Sequence, residues 1–246
     1  MPLRDYVRVY ARQEYLTPGD PETVDLIVDG LQGLSAPRIV EVASGKGEAA
    51  CALATRTGGQ VTAVDRSPAF LLLARQKAVE RGLASRVRLL HADGKQLPFP
   101  DGTFDAGCCM GAPSIVGLEP CLQELRRTVR QGGSIVVSDI YWHHRPEEPL
   151  GPEWGWLATE TWRPALDEYR AAITAAGLVV EQTFLHPREA WDAYHAPMRL
   201  VVAEERARGE DAFADEVERG IEVEQRGVDA FLGYVTFVAR VARRPG

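Results

Sequence analysis

Residues 38–48 read RIVEVASGKGE, an apolar, strand-like run that ends in a turn with two glycines. Its β-branched residues favour a short β-strand over Arg38–Ala43. Gly45 and Gly47 permit a tight backbone turn, and a helix predicted from Glu48 to Arg56 would present free N–H groups at its start. A strand, a glycine turn and a helix in this order predict a ligand site at the carboxyl end of the strand.

The same strand–helix alternation continues along the chain from this stretch. Further strands are predicted at Gln60–Asp65, Val87–His91, Phe104–Met110, Ser134–Asp139, Leu178–Leu185 and Ala230–Val241. Helices are predicted between them at Pro68–Arg81, at Glu119–Arg130 before a stop at Gly132-Gly133, and at Pro164–Ala176. This alternation predicts an α/β fold with a doubly wound, Rossmann-like sheet of seven strands, mostly parallel and covered on both faces.

The remaining segments predict how the chain is organised around that sheet. Two helices are expected before it, at Leu3–Leu16 and from Asp20 to about Leu34. Residues 141–164 are rich in tryptophan and proline and predict an ordered loop, and residues 187–228 include two predicted helices, Pro187–Arg208 and Asp211–Gln225. We interpret residues 1–246 as one domain with N-terminal helices (1–35), a ligand-binding core (36–140) and two lid insertions (141–164 and 187–228).

Composition and charge narrow the class of partner. The formal net charge is −7, and no run of Lys or Arg is long enough to form the basic face that a phosphate backbone needs, which argues against a nucleic-acid partner. No apolar stretch reaches the roughly 18 residues that cross a bilayer, and the N-terminus lacks the core of a secretion signal, so a cytoplasmic protein is predicted. The four cysteines have neither zinc-site nor disulfide spacing, and no metal is expected.

Acidic residues follow the next two strands. Asp65 ends the second strand, where a carboxylate can accept both hydroxyls of a ribose. With the glycine turn it also fits the looser dinucleotide pattern, which keeps an NAD-dependent oxidoreductase as an alternative. The third strand ends in His91-Ala92-Asp93-Gly94, and a turn then leads into Phe104-Asp105. An oxidoreductase would leave these last two motifs without a role.

This combination resembles the class I S-adenosylmethionine (SAM)-dependent methyltransferases over roughly Arg38 to Asp139. The resemblance implies SAM as the cofactor, methyl transfer as the reaction and an antiparallel last strand in the sheet. It also implies cofactor roles for particular residues. Glu41 would serve the methionine end, Asp65 the ribose, and Ala92 and Asp93 the adenine. The carbonyls of Cys109 and Met110 would receive the methionine amino group, and the remaining cofactor contacts would be Ala43, Gly45, Gly47 and Arg66.

The chain departs from this family pattern at one position. The family usually has glycine where this sequence has Ala43, and we expect Ala43 to keep a negative φ because a side chain disfavours the left-handed region. The glycine loop, the Tyr141-Trp142 pair and the late helical insertion also resemble a bacterial subgroup of small-molecule methyltransferases.

The acceptor site is predicted in the two lid insertions, where aromatic and histidine side chains concentrate. We expect Tyr141, Trp142 and Tyr194 to bind an apolar or aromatic small molecule, and His143 to lie nearest its nucleophile as a general base. The other candidates there are His144, Trp154, Trp156, Trp162, Trp191, His195 and Met198. A protein or RNA acceptor and a non-catalytic SAM-binding protein are the alternatives, and the sequence leaves the oligomeric state open.

Overall fold

The fold is a seven-stranded mixed sheet flanked by helices, seen in a computed structural model that describes residues 8–10, 12–159 and 163–242. The strands lie in the order β3-β2-β1-β4-β5-β7-β6. Neighbours among the first five are parallel, whereas β6 and β7 pair antiparallel. The strands are β1 Arg38–Val42, β2 Gln60–Asp65, β3 Val87–His91, β4 Phe104–Met110, β5 Val129–Trp142, β6 Leu178–Leu185 and β7 Leu232–Val241. The predicted fold class is confirmed.

Eight α-helices connect or flank these strands within the described residues. They are α1 Asp20–Asp29, α2 Glu48–Thr57, α3 Pro68–Glu80, α4 Pro113–Val116, α5 Leu118–Thr128, α6 Leu166–Ala175, α7 Arg188–Ala207 and α8 Asp211–Ala230, with a 3-10 helix at Pro152–Thr159. The start of α3 follows from its sequence, because the Ser67 side chain accepts a hydrogen bond from the Phe70 amide and Pro68 occupies the first turn.

The centre of the sheet is buried, as parallel strands require. Ile39 and Val40 of β1 are fully buried, as are Val61 and Ala63 of the neighbouring β2. The register that sets Val42 opposite Val64 and Cys109 brings the carboxyl ends of β1, β2 and β4 to one edge of the sheet. The turns that follow these strands therefore lie side by side.

Several predicted boundaries differ from the structure. The helix that begins at Asp20 ends at Asp29 rather than near Leu34. The glycine pair 132–133 does not stop a helix but lies inside β5, which starts at Val129, and the pairing with β4 shifts register there. Glycine permits such an irregularity, Gly132 having φ +70°.

The segments outside the alternating pattern also differ from the predictions. Tyr141 and Trp142 belong to the end of β5 rather than to a loop, and a 3-10 helix begins at Pro152. The second late helix continues beyond Gln225 to Ala230. Residues 3–7 and 11 of the predicted helix Leu3–Leu16 lie outside the described residues; Arg8 and Val9 are helical, whereas residues 12–17 are not.

The chain divides into two compact units. The sheet unit comprises Asp20–Asp139, Asp167–Leu185 and the described part of Val235–Gly246. The helical unit comprises the described parts of Met1–Gly19, Ile140–Leu166 and His186–Tyr234. Each has its own buried cluster, and in the helical unit Val9, Met198 and Ile221 form one while Trp142, Leu157 and Leu232 form another.

Candidate functional site

The turn after β1 has the backbone geometry of a ligand-binding loop. Gly45 and Gly47 have φ values of +51° and +71°, the left-handed region that glycine adopts without penalty. A Cβ on Gly47 would lie 2.7 Å from Cβ of Ala74 in α3, so glycine is needed there for packing as well. The turn leads directly into α2, whose N-cap residue is Gly47.

Ala43 lies in the same left-handed region, with φ +56°. The expectation that it keeps a negative φ is therefore wrong. Ala43 has the backbone conformation that a glycine would have here. Its Cβ makes this left-handed conformation unfavourable by about 1–2 kcal/mol. The bond from the Ser44 amide to the Val64 carbonyl, 3.0 Å long, ties the turn to β2.

Asp65 fixes this turn from the end of β2. Its Oδ2 accepts a hydrogen bond from the Gly45 amide at 2.8 Å, and its Oδ1 accepts one from the Ser67 amide at 2.7 Å. The residue is buried. Since a carboxylate has about four acceptor positions, two remain for the hydroxyls of a ligand.

Glu41 is a buried carboxyl group with an oxygen left free. It lies on β1 and is 3% exposed, and its Oε2 has no hydrogen-bond partner among the described residues. Burial raises its pKa well above the usual value, and the nearby Asp20 and Asp65 raise it further. A cationic ligand group at this oxygen would relieve both the desolvation and the repulsion.

The end of β3 supplies the next predicted residues. The Asp93 side chain is exposed, and one of its oxygens accepts the Lys95 amide at 2.9 Å, which shapes the turn. The amide of Ala92 donates to the Asp65 carbonyl at 3.3 Å. Arg66 is exposed, and its carbonyl contacts the His91 ring at 3.1 Å. These contacts join the turns after β2 and β3.

The chain leaves β4 through a segment that the sequence did not reveal. Cys109 is buried and Met110 half-buried at the strand end, and the short helix α4 follows at once. Oδ2 of the buried Asp139 accepts hydrogen bonds from the amide and the hydroxyl of Ser114, at 2.9 and 2.6 Å. Asp139 ends the predicted fifth strand, just as Asp65 ends the second. This shared position was the signal in the sequence that could have identified Asp139.

Comparison with known proteins assigns this geometry to a family. Residues 39–133, which contain the turns just described, match the family described as a methyltransferase domain. Over 183 residues the chain is 30% identical to the Escherichia coli protein YjhP, covering 73% of each protein. The chain belongs to the SAM-dependent methyltransferases.

Two further relatives support this membership. A demethylmenaquinone methyltransferase from Thermus thermophilus is 43% identical over 116 residues, which are 46% of this chain and 50% of that protein. The match thus spans about half the length of that relative. A SAM-dependent methyltransferase from Geobacter sulfurreducens, solved in complex with S-adenosylhomocysteine, is 25% identical, covers 98% of each chain and superposes with a TM-score of 0.80.

The residues of the sheet unit fit the cofactor of this methyltransferase family, which is SAM. The free buried oxygen of Glu41 suits the methionine ammonium group, and the two remaining acceptor positions of Asp65 suit the ribose hydroxyls. The Ser44 hydroxyl is likewise buried without a partner among the described residues, which leaves it available to the ligand. Gly47 allows the backbone the close approach that a Cβ would prevent.

The predicted acceptor residues lie in the helical unit in different environments. Tyr141 and Trp142 are buried, the Tyr141 ring against Gly233, and burial raises the pKa of the Tyr141 phenol. Tyr194 is half-buried, with its hydroxyl 3.4 Å from that of Tyr10. His143 is exposed, its amide bonded to the Phe231 carbonyl and its ring near those of Tyr141 and His144. Trp162 lies outside the described residues.

The sequence also missed a buried pair in the helical unit. His195 of α7 is fully buried, and its Nε2 lies 2.7 Å from Oε2 of Glu224 in α8. Its Nδ1 has no hydrogen-bond partner among the described residues. His195 was one of several lid candidates in the sequence, but nothing there paired it with a glutamate 29 residues away.

Two other features, a cluster of metal ligands and a membrane-spanning helix, are absent from the described residues. Within the described ranges, no group of three or more His, Cys, Asp or Glu side chains is placed to hold a metal ion. Neither is any helix there both long and apolar enough to cross a membrane. The four cysteines are all buried and free.

Proposed function

We propose that this protein transfers a methyl group from SAM to a small organic acceptor. The observation that carries the proposal is the buried Glu41 carboxyl with a free oxygen, beside the turn that Asp65 holds, in a chain that belongs to the methyltransferases. The Thermus relative is by name a methyltransferase of demethylmenaquinone, a small molecule. The net charge of −7 argues against an RNA acceptor.

The residues of the sheet unit act by binding and orienting. SAM supplies, when bound, a methyl group on a sulfonium centre that a nucleophile can attack in line. Glu41 would hold the ammonium end, Asp65 the ribose and the turn at Asp93 the adenine, which together fix the methyl group in space. Positioning of this kind lowers the barrier by removing the entropy cost of bringing the two reactants together.

The acceptor would contact residues of the helical unit. Tyr141, Trp142 and Tyr194 offer aromatic surface, and a buried phenol such as that of Tyr141 can also donate a hydrogen bond. His143 remains the predicted base. The four buried free cysteines fit a reducing compartment, so we place the reaction in the cytoplasm as part of this proposal.

Calorimetry with purified protein tests the cofactor half of the proposal. S-adenosylhomocysteine should bind, NAD should not, and Asp65→Ala should weaken binding by about 1.5–3 kcal/mol, the scale for a charged hydrogen-bond acceptor. Asp105→Ala is the matched control, since Asp105 accepts the Arg38 amide at 2.9 Å but lies at the start of β4. Binding of NAD without S-adenosylhomocysteine would refute the proposal.

A metabolite screen with methyl-labelled SAM tests the acceptor half. Label should appear in a small-molecule fraction and not in added protein or RNA. With the acceptor in hand, His143→Ala should lower turnover roughly 10²-fold while leaving S-adenosylhomocysteine affinity intact, the scale for loss of a general base. Normal turnover in that variant would show that His143 is a surface residue.

A further inference from the structure

The exit of the chain from β4 is held by one buried carboxylate oxygen. Oδ2 of Asp139, a residue 1% exposed, accepts the Ser114 amide at 2.9 Å, the Ser114 hydroxyl at 2.6 Å and the Tyr169 hydroxyl at 2.8 Å. Two of these donors belong to α4 and the third to α6. Ser114, Asp139 and Tyr169 all belong to the sheet unit.

The segment that Asp139 holds has little stability of its own. Helix α4 has four residues, fewer than an independent helix needs, and its N-cap Ala112 makes no side-chain capping bond. Gly111 and Gly117, on either side, have φ values of +65° and +114°. The segment therefore depends on contacts with neighbouring strands, and Asp139 caps α4 from outside.

The segment around α4 directly follows Cys109 and Met110, the last residues of β4. Met110 pairs with Ser138 in the sheet, and the Gly111 amide donates to the Ser138 carbonyl at 2.7 Å. Asp139 follows Ser138 in β5. Its side chain therefore lies where the segment after Met110 leaves the sheet, just beyond the last β4–β5 pair. The segment leaves directly after Cys109 and Met110, whose carbonyls the family resemblance assigns to the methionine amino group.

We propose that Asp139 is a positioning residue for the amino-acid end of the cofactor. It anchors Ser114, and through Ser114 it fixes the backbone that follows Cys109 and Met110, without touching the cofactor itself. This rests on the proposed function, in which those carbonyls receive the methionine amino group. The adenosine end depends instead on Asp65 and the turn at Asp93, so Asp139 should affect the two ends unequally.

The test compares two ligands in calorimetry. S-adenosylhomocysteine has both ends, whereas methylthioadenosine keeps the adenosine and lacks the amino-acid end. Ser114→Ala removes the hydroxyl donor of a half-buried residue and should weaken S-adenosylhomocysteine binding about five- to tenfold, the scale of one hydrogen bond to a charged group. Methylthioadenosine binding should stay within about twofold. Asp139→Ala should give a larger loss with the same selectivity.

Two matched variants separate positioning from general loss of stability. Tyr169→Phe removes a donor from the same oxygen but leaves both bonds to Ser114, so it should cost less S-adenosylhomocysteine affinity than Ser114→Ala. Thr236→Val removes a buried hydroxyl that lies 2.8 Å from the Thr23 hydroxyl elsewhere in the unit, and should leave both affinities unchanged.

Each other outcome overturns the inference in a distinct way. Equal losses in Ser114→Ala and Tyr169→Phe, or parallel losses for both ligands, would mean that the network only stabilises the fold. No loss in Ser114→Ala and none in Asp139→Ala would mean that the segment keeps its position without Asp139. Failure of the unmodified protein to bind S-adenosylhomocysteine would instead refute the proposed function.

Discussion

The turns of the sheet unit and the helices α7 and α8 of the helical unit hold polar side chains in different ways. Asp65 and Asp93 each accept the backbone amide two residues later. His195 and Glu224 instead meet side chain to side chain, 29 residues apart, because two helices pack together. The bonds of Asp65 and Asp93 are determined by local sequence, whereas the contact between His195 and Glu224 forms only when the two helices pack together.

This difference has a consequence for function. A turn held by backbone amides keeps its geometry when neighbouring side chains vary, which suits a site for a constant cofactor. Helix-packed side chains can be exchanged without altering the backbone, which suits a site that differs between enzymes. The helical unit is therefore where we expect acceptor specificity.

Burial of side chains should dominate the stability of the helical unit. Trp142 is 1% exposed and packs with Leu157 and Leu232. Trp142→Ala should lower the free energy of unfolding by about 3–5 kcal/mol, measured by urea denaturation. The half-buried Trp154, whose ring centroid lies 5.2 Å from that of Phe231, is the control, and its alanine variant should lose less. Equal losses of unfolding free energy in the two variants would show that burial does not decide how much each tryptophan contributes.

Backbone geometry should dominate in the turns of the sheet unit. Gly47→Ala places a Cβ 2.7 Å from that of Ala74 at φ +71°, and should cost about 2–4 kcal/mol of stability. Gly82→Ala is the matched control, because Gly82 has φ +69° but open space around it, and it should cost about 1–2 kcal/mol. Thermal denaturation of both variants measures the difference, and equal costs would remove the packing argument.

We expect the Glu41 carboxyl to lower the stability of the ligand-free protein and to strengthen cofactor binding. Burial, then Asp20 and Asp65, raise its pKa in the fold, so its stabilising contribution is present at low pH and is lost as pH rises through the raised value. Glu41→Gln should therefore be more stable than the unmodified protein without ligand at pH 7, with a gap that closes towards pH 4.

The same Glu41→Gln variant should bind S-adenosylhomocysteine more weakly by about 1.5–3 kcal/mol, because the ammonium group loses a charged partner. Denaturation between pH 4 and 8 and calorimetry at pH 7 measure the two effects. A variant that is less stable at pH 7 would show that the Glu41 carboxyl is satisfied in the fold.

The smallest expected effect is a gain in stability at Ala43. Ala43→Gly removes the strain of a Cβ at φ +56° but adds unfolded-chain entropy, and the net gain should be about 0.5–1 kcal/mol. Ala36→Gly, at φ +48° in an exposed turn, should behave alike. A loss of stability in Ala43→Gly alone would show that the methyl group packs usefully beside the cofactor loop.

The sequence was most informative where structure is locally encoded. The bounds of β2, β3, β4 and β6 were predicted residue for residue, because short, largely apolar runs between turn-forming segments carry a local signal. The cap at Ser67 is equally local, since its hydroxyl accepts the amide of Phe70 three residues later. The glycine pair inside β5 failed as a helix stop because its place in the strand depends on pairing with β4.

The sequence by itself determined the fold class, the glycine turn after β1 and, through family resemblance, the family. Tertiary structure alone decided that Ala43 accepts a strained backbone, that Asp139 holds α4, and that His195 meets Glu224 while His143 stays exposed. The physical reason is sequence distance. A turn or cap is specified by residues within about four positions of one another, whereas these contacts join residues 25 to 29 positions apart or depend on a neighbouring strand.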